Sequence, residues 1–232
     1  MLDILIMHGF EAYTLKDHKR ALRLIEHFGD SILFINIDEG LSEPEWESYI
    51  YAIQNNEKTK GCRIGILSYN NNAALMQKYL MELAVPCGYI QLKLGLQEST
   101  RIIVAALEAN EARGRRKYIR AVCEDDVNAI LNFKGPEGIL FHGKLLDISA
   151  VGVAARIDQP FDIAPSTLIN DVQMRLRGGI VRTNLIAIGK RQGNDNVWIF
   201  LMNPAQMEHE TKLIIHRFIK HCLQRYIDQL QV

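Results

Sequence analysis

At 232 residues the chain has room for one large domain or two of ordinary size, and Lys plus Arg balance Asp plus Glu at 27 each, so the global field that draws in a nucleic acid polymer or an anionic membrane is missing. Cys62, Cys87, Cys123 and Cys222 lie far apart without a CxxC pair, which suggests neither a disulfide framework nor a zinc knuckle and predicts reduced, mostly buried thiols. The N-terminus lacks the basic region, apolar run and cleavage site of a secretory signal, and no apolar stretch is long enough for membrane insertion, so the expectation is a cytoplasmic protein.

Residues 16–28 place Ala21, Leu22, Ile25 and Phe28 at helical spacing, and 31–37 then form a β-rich run ending at Asp38-Glu39-Gly40. Pro44 opens a second helix carrying Trp46, Tyr49, Ile50 and Ile53. A strand at 62–68, a helix at 73–83, a short strand at 89–92 and an amphipathic helix at 97–112 follow. Strands alternating with helices of this length predict an α/β N-terminal domain, residues 1–112, with a parallel sheet covered on both faces.

This order resembles the response-regulator receiver domain, with Gly9-Phe10-Glu11-Ala12-Tyr13 in the place of its second strand and residues 32–37 in that of its third. The family needs an acidic pair for magnesium, an aspartate ending the third strand, a Ser or Thr ending the fourth and a lysine ending the fifth. Ser68 and Lys93 suit the last two places. The phosphoacceptor position falls on Asn36, and too few residues precede Gly9 for a first strand and helix. Without the family's acidic pair, Asp38 has no visible way to hold a hard cation and reads as a strand-end turn residue. The expectation is a receiver-like domain without phosphorylation chemistry or metal, available for protein contact.

The apolar pattern runs out over 108–113, Gly114 breaks the helix, and Arg113, Arg115, Arg116, Lys117 and Arg120 make a local basic cluster at the joint, enough for a compact anion. From Tyr118 onward the period changes. Short β runs at 118–123, 127–133, 140–148, 152–157, 168–176, 180–189 and 197–202 are separated by turns such as Gly135-Pro136-Glu137-Gly138 and Gly193-Asn194-Asp195-Asn196. They predict a C-terminal antiparallel β-barrel, residues 113–232, with Trp198 in its core. Pro204 ends the last strand, and 205–227 read as a long C-terminal helix with Leu213, Ile214, Phe218, Cys222 and Leu223 on one face, fit to cover the barrel or to pair with another subunit.

Two motifs stand out: Arg116-Lys117-Tyr118-Ile119-Arg120 and Asp147-Ile148-Ser149-Ala150-Val151-Gly152. An arginine fork gives paired hydrogen bonds to guanine O6 and N7 or to phosphate oxygens, and an ionised carboxylate accepts from guanine N1 and N2. Ser149 adds a small donor and acceptor. Gly152 permits a close backbone approach or a positive φ. Together the motifs resemble the RxxxR and (D/N)xSxxG signatures of the PilZ domain, a resemblance that covers the chain from Arg113 to the last helix. It implies a bacterial, non-enzymatic receptor for cyclic di-GMP, without cofactor, controlling motility, biofilm formation or virulence. The ligand residues it implies are Arg115, Arg116, Arg120, Asp147, Ser149 and Gly152, with one or two nucleotides per chain left open. It also implies an unidentified protein partner, and either the receiver-like half or the last helix offers a homodimer surface. The alternative is a nucleotide-independent interaction scaffold. No GxxxxGK[ST], HExxH or GxSxxG occurs, and His209, His216 and His221 read as surface residues.

Overall fold

The computed structural model describes residues 1–112, 118–135 and 138–232. It holds two sheets. The first has three parallel strands in the order β1 (Ile32–Asn36), β2 (Arg63–Ser68), β3 (Tyr89–Gln91). Side chains on a strand alternate between faces, so Ile35, Ile64 and Ile66 meet one set of helices while Ile32, Phe34 and Leu67 meet another. Helices α2 (His18–Phe28), α3 (Glu43–Asn55) and α4 (Ala73–Gln77, continued by a wider turn at Lys78–Glu82) cover the first face. The second face packs on α1 (Leu2–Met7) and α5 (Leu96–Ala109). Helix starts are locally encoded. Asp17 accepts from the Lys19 N–H at 2.9 Å, and Glu45 reaches back to the Ser42 N–H and hydroxyl at 2.8 and 2.6 Å.

One expectation fails here. Gly9 to Tyr13 is not a strand: α1 ends at Met7 and the chain then runs outside any sheet until α2. The backbone just after Tyr13 pairs instead with a side chain near the far end of the sequence: the Thr14 N–H donates to Gln224 Oε1 and the Thr14 carbonyl accepts from Gln224 Nε2, both at 3.0 Å.

The second sheet closes on itself. Strands β4 (Arg120–Val122), β5 (Ile130–Lys134), β6 (Leu140–Ser149), β7 (Gly152–Ile157), β8 (Leu168–Leu176), β9 (Gly179–Arg191) and β10 (Asn194–Met202) are antiparallel throughout. Six of them form a ring in the order β6, β5, β8, β9, β10, β7, closed by β7 pairing with β6, and β4 adds to the far end of β6. Closure removes the unpaired edges that an open sheet would expose. The interior holds Leu131, Phe133, Leu145, Ile148, Val172, Met174, Leu185, Trp198 and Phe200.

Helix α6 (His209–Gln229) packs on this core with Ile215, Phe218, Ile219, Cys222 and Leu223. The buried face therefore includes Ile215 and Ile219 and leaves the predicted Leu213 and Ile214 half-buried at its margin. The helix covers the barrel, and its other side meets the N-terminal residues. Ile6 joins the barrel's core cluster, Lys220 pairs with Asp3 at 2.6 Å, and Arg20 Nη2 donates to the carbonyls of Ile227 and Asp228 at 2.5 and 2.8 Å. Those carbonyls belong to the last turn of α6, where the capping Leu230 N–H reaches the Ile227 carbonyl at 3.3 Å, and a cation there adds hydrogen bonds and complements the helix dipole.

Candidate functional site

The site lies on the outer wall of the barrel, and a register break puts it there. Strand β6 pairs Leu145 with Ala155 but Asp147 with Ala154, so Leu146 is an extra residue, a β-bulge. In an unbroken strand Leu145 and Asp147 would point the same way. The bulge changes the phase: Leu145 and Ile148 both enter the barrel core, while Leu146 joins Ala154 and Val197 in a small separate cluster. Asp147, opposite Ala154, and Ser149, opposite Gly152, consequently face away from the core. On the other side of β6, Ala121 opposes Ile148 and is buried in the core, which turns its neighbours Arg120 and Val122 outward beside Ser149 and Asp147.

Asp147 is the centre of this face. Its side chain is only 9% exposed, and two guanidiniums hold it: Arg120 Nε at 3.4 Å from Oδ1, and Arg191 Nη2 at 2.6 Å from Oδ2. The two arginines are 41% and 39% exposed, so their outer edges stay in solvent. A carboxylate so nearly buried needs such partners, since removing its water without replacing the hydrogen bonds would cost several kcal/mol. The short contact to Arg191 is a charge-assisted hydrogen bond. The longer one to Arg120 is mainly electrostatic.

Ser149 has a local part. Its Oγ donates to the Gly152 carbonyl at 3.2 Å and accepts from the Val151 N–H at 3.3 Å, closing the turn from β6 into β7. The demand on Gly152 is for space rather than for a positive φ: a Cβ there would lie 2.6 Å from the Phe200 carbonyl oxygen and 3.3 Å from Leu201 Cδ2. The backbone that comes close is therefore strand β10.

Of the predicted ligand residues, the structure brings Arg120, Asp147, Ser149 and Gly152 onto one face. Arg115 and Arg116 lie outside the described residues. Arg191 was missed by sequence reasoning. It ends β9, 44 residues from Asp147, in a polar run with no spacing relation to either motif. The neighbouring Lys190, whose Nζ lies 5.5 Å from the Trp198 ring centroid, gives no stronger signal.

No protein-family model and no curated protein matches the chain. Solved structures do. About half of the chain is similar to PilZ domains. The match to the "PilZ domain with c-di-GMP of YcgR from Escherichia coli" covers 50% of this chain and 100% of that one, at 14% identity and TM-score 0.41. For the PilZ domain of CeSA from a cellulose-synthesizing bacterium the figures are 44% of this chain, 94% of that one, 19% identity and TM-score 0.33. For the Bacillus subtilis inhibitor of motility, MotI, they are 50% of this chain, 53% of that one, 14% identity and TM-score 0.36, so the match spans about half of MotI's length.

The receiver-like positions come together differently. Asp38 Oδ1 accepts from the Ser68 hydroxyl at 2.5 Å and Oδ2 from the Tyr69 N–H at 2.6 Å, which ties the chain beyond β1 to the end of β2. Asn36 Oδ1 accepts from the Asp38 N–H at 3.3 Å, and Lys93 is exposed. Among the described residues no group of three or more His, Cys, Asp or Glu side chains is placed to hold a metal ion. Nor is any helix among them long and apolar enough to cross a membrane.

Proposed function

We propose that the protein is a non-enzymatic receptor for cyclic di-GMP, bound on the outer face of the barrel around Asp147. The observation that carries this reading is the placement of Arg120, Asp147 and Ser149 from two separate motifs on one face, with Asp147 nearly buried between two half-exposed guanidiniums. Such a carboxylate exchanges partners at little net cost. A guanine edge offers N1–H and N2–H to Asp147, and the displaced guanidiniums turn to guanine O6 and N7 or to phosphate, so the number of charge-assisted bonds is kept. Arg191 is proposed as a further cation of the site, and Arg115 and Arg116 as the residues that complete the grip from the preceding segment. Ser149 shapes the turn that presents Asp147 and offers its remaining lone pair.

The output is proposed to be a change in how residues 1–112, as one unit, face the barrel unit of residues 113–232 or a protein partner, in control of motility, biofilm formation or virulence. The receiver-like unit serves contact rather than phosphoryl transfer, since Asp38 is engaged by Ser68 and Tyr69. For the nucleotide to act as a switch, it must favour one arrangement over another; equal affinity for both would shift nothing.

Calorimetric titration of cyclic di-GMP into the full chain tests the reading, with GTP and cyclic di-AMP as controls and the Arg116→Ala, Arg120→Ala double variant alongside. Selective binding that the double variant loses is expected. A folded wild-type chain that binds no cyclic di-GMP overturns the receptor and leaves the interaction scaffold.

A further inference from the structure

A second convergence of cations lies where the β8 and β9 hairpin meets α6. A cleft of about 530 Å³ there is lined by Arg175, Arg177 and Arg225 together with Asp125, Asp126 and Asn128. The three guanidiniums come from three places in the fold: Arg175 at the end of β8, Arg177 in the turn between β8 and β9, and Arg225 on α6.

How each cation is held decides what the cleft can do. Arg225 Nη1 lies 3.8 Å from Asp126 Oδ2, beyond hydrogen-bond length, while Asp126 Oδ1 accepts from the Asn128 N–H at 3.0 Å. Arg177 is pinned by an imidazole: its Nη1 stands 2.6 Å from His221 Nε2. Partial burial, then Arg177 and Arg225, push the His221 pKa below its ordinary value, against a smaller upward pull from Asp126. The ring is therefore neutral at neutral pH, and Nε2 accepts from the guanidinium. A carboxylate in that place would orient Arg177 and cancel its charge. A neutral imidazole orients it and leaves the charge for something else. Arg175 lines the same cleft from an exposed position. Two lining carboxylates oppose three lining guanidiniums, so the cleft keeps a net positive charge.

The geometry points to an oxyanion site in this cleft, one that takes the phosphate group of a small phosphorylated ligand between Arg177 and Arg225, with Arg175 at the rim. Asp126 is the acceptor for a hydroxyl or amino group next to that phosphate, which favours a sugar phosphate over inorganic phosphate. The volume suits such a molecule better than the broad face of an acidic protein. The site is separate from the Asp147 face and does not depend on the reading given to it.

The full-length protein is titrated with ribose 5-phosphate and inorganic phosphate, the first expected to bind the more tightly, and with sulfate as a control, while the imidazole resonances of its histidines are followed by NMR at constant pH and ionic strength. His221 is expected to shift saturably with the two phosphates, and His209 and His216, which do not line the cleft, to stay in place. Arg177→Gln and Arg225→Gln, read by calorimetry, are each expected to weaken binding about tenfold or more, the worth of one charge-assisted contact. Unchanged His216 resonances show that the variants remain folded. The site is overturned if His221 shows no saturable shift at millimolar ligand, if all three histidines respond alike, if sulfate matches the phosphates, or if both variants bind as the parent does.

Discussion

Asp38 and Asp147 both sit at or beside the end of a strand, and each has both carboxylate oxygens engaged, yet by different chemistry. Asp38 takes a hydroxyl and a backbone N–H from β2 and the residue after it, neutral donors that belong to the fold itself. Asp147 takes two guanidiniums from β4 and β9 whose outer edges remain in water. The first arrangement has little to exchange, because the Ser68 hydroxyl and the Tyr69 N–H are fixed at the end of β2 and cannot swing away toward a ligand. The second can trade partners, because a half-exposed guanidinium that loses a carboxylate finds water or an anion. A strand-end aspartate is thus a tie where its donors are fixed, and Asp147 is proposed as a binding residue because its donors can leave.

The largest expected consequence is in binding. Asp147→Ala removes the acceptor of two charge-assisted bonds worth about 1.5–3 kcal/mol each, so cyclic di-GMP affinity is expected to fall about 100-fold or more by calorimetry. Asp38→Ala should leave that affinity within about twofold; a comparable loss in both variants would erase the distinction.

Gly152→Ala comes next. Its Cβ would meet the Phe200 carbonyl oxygen at 2.6 Å, backbone against backbone, so β7 and β10 must separate. Urea unfolding should show a loss of about 1–3 kcal/mol. A parent-like midpoint would show that the two strands relax freely.

Arg191→Gln sharpens the same comparison from the cation's side. One guanidinium is lost while Arg120 stays, and cyclic di-GMP affinity is expected to drop about tenfold, less than for Asp147→Ala. Tighter binding in this variant would mean that Arg191 competes with the nucleotide for the carboxylate.

The smallest effect belongs to Asp38. Its loss should destabilise the parallel sheet by about 1 kcal/mol, and the cysteines report where. Burial pushes the Cys62 thiol up to about 12 and the Cys222 thiol up to about 11, and raises Cys87 and Cys123 as well. Raised pKa values keep all four protonated and unreactive at mildly alkaline pH, so alkylation waits on local opening. In Asp38→Ala, Cys62 and Cys87 are expected to label faster while Cys123 and Cys222 keep the parent rate. Equal acceleration of all four would mean that the sheet and the barrel open together.

The two architectures were legible because each rests on short-range pattern. Alternation at 152–157 and 168–176 became β7 and β8 with the same bounds, and helical spacing after Pro44 became α3. Helix α1 was not legible for a physical reason. Leu5 packs toward the parallel sheet and Ile6 toward the barrel, so Leu2-Asp3-Ile4-Leu5-Ile6-Met7 is covered from two sides and shows no polar face. The segment after it looked like a strand because Phe10 and Tyr13 are apolar, but Phe10 is buried with the α5 cluster and Tyr13 against the barrel core.

The sequence by itself determined the residue types of the proposed site, Arg120, Asp147, Ser149 and Gly152, and the turn that links the last two, since these depend on neighbours a few positions away. Only the tertiary structure decided which way Asp147 points and what holds it. A strand's phase is set by its partners: the extra Leu146 shows as a bulge only against Ala154 and Ala155 on β7, and it turns Asp147 out of the core. Arg191 reaches the same carboxylate because the closed barrel brings the end of β9 within side-chain reach of Asp147, with β10 and β7 between their strands, across 44 residues of chain, a contact that no local spacing encodes.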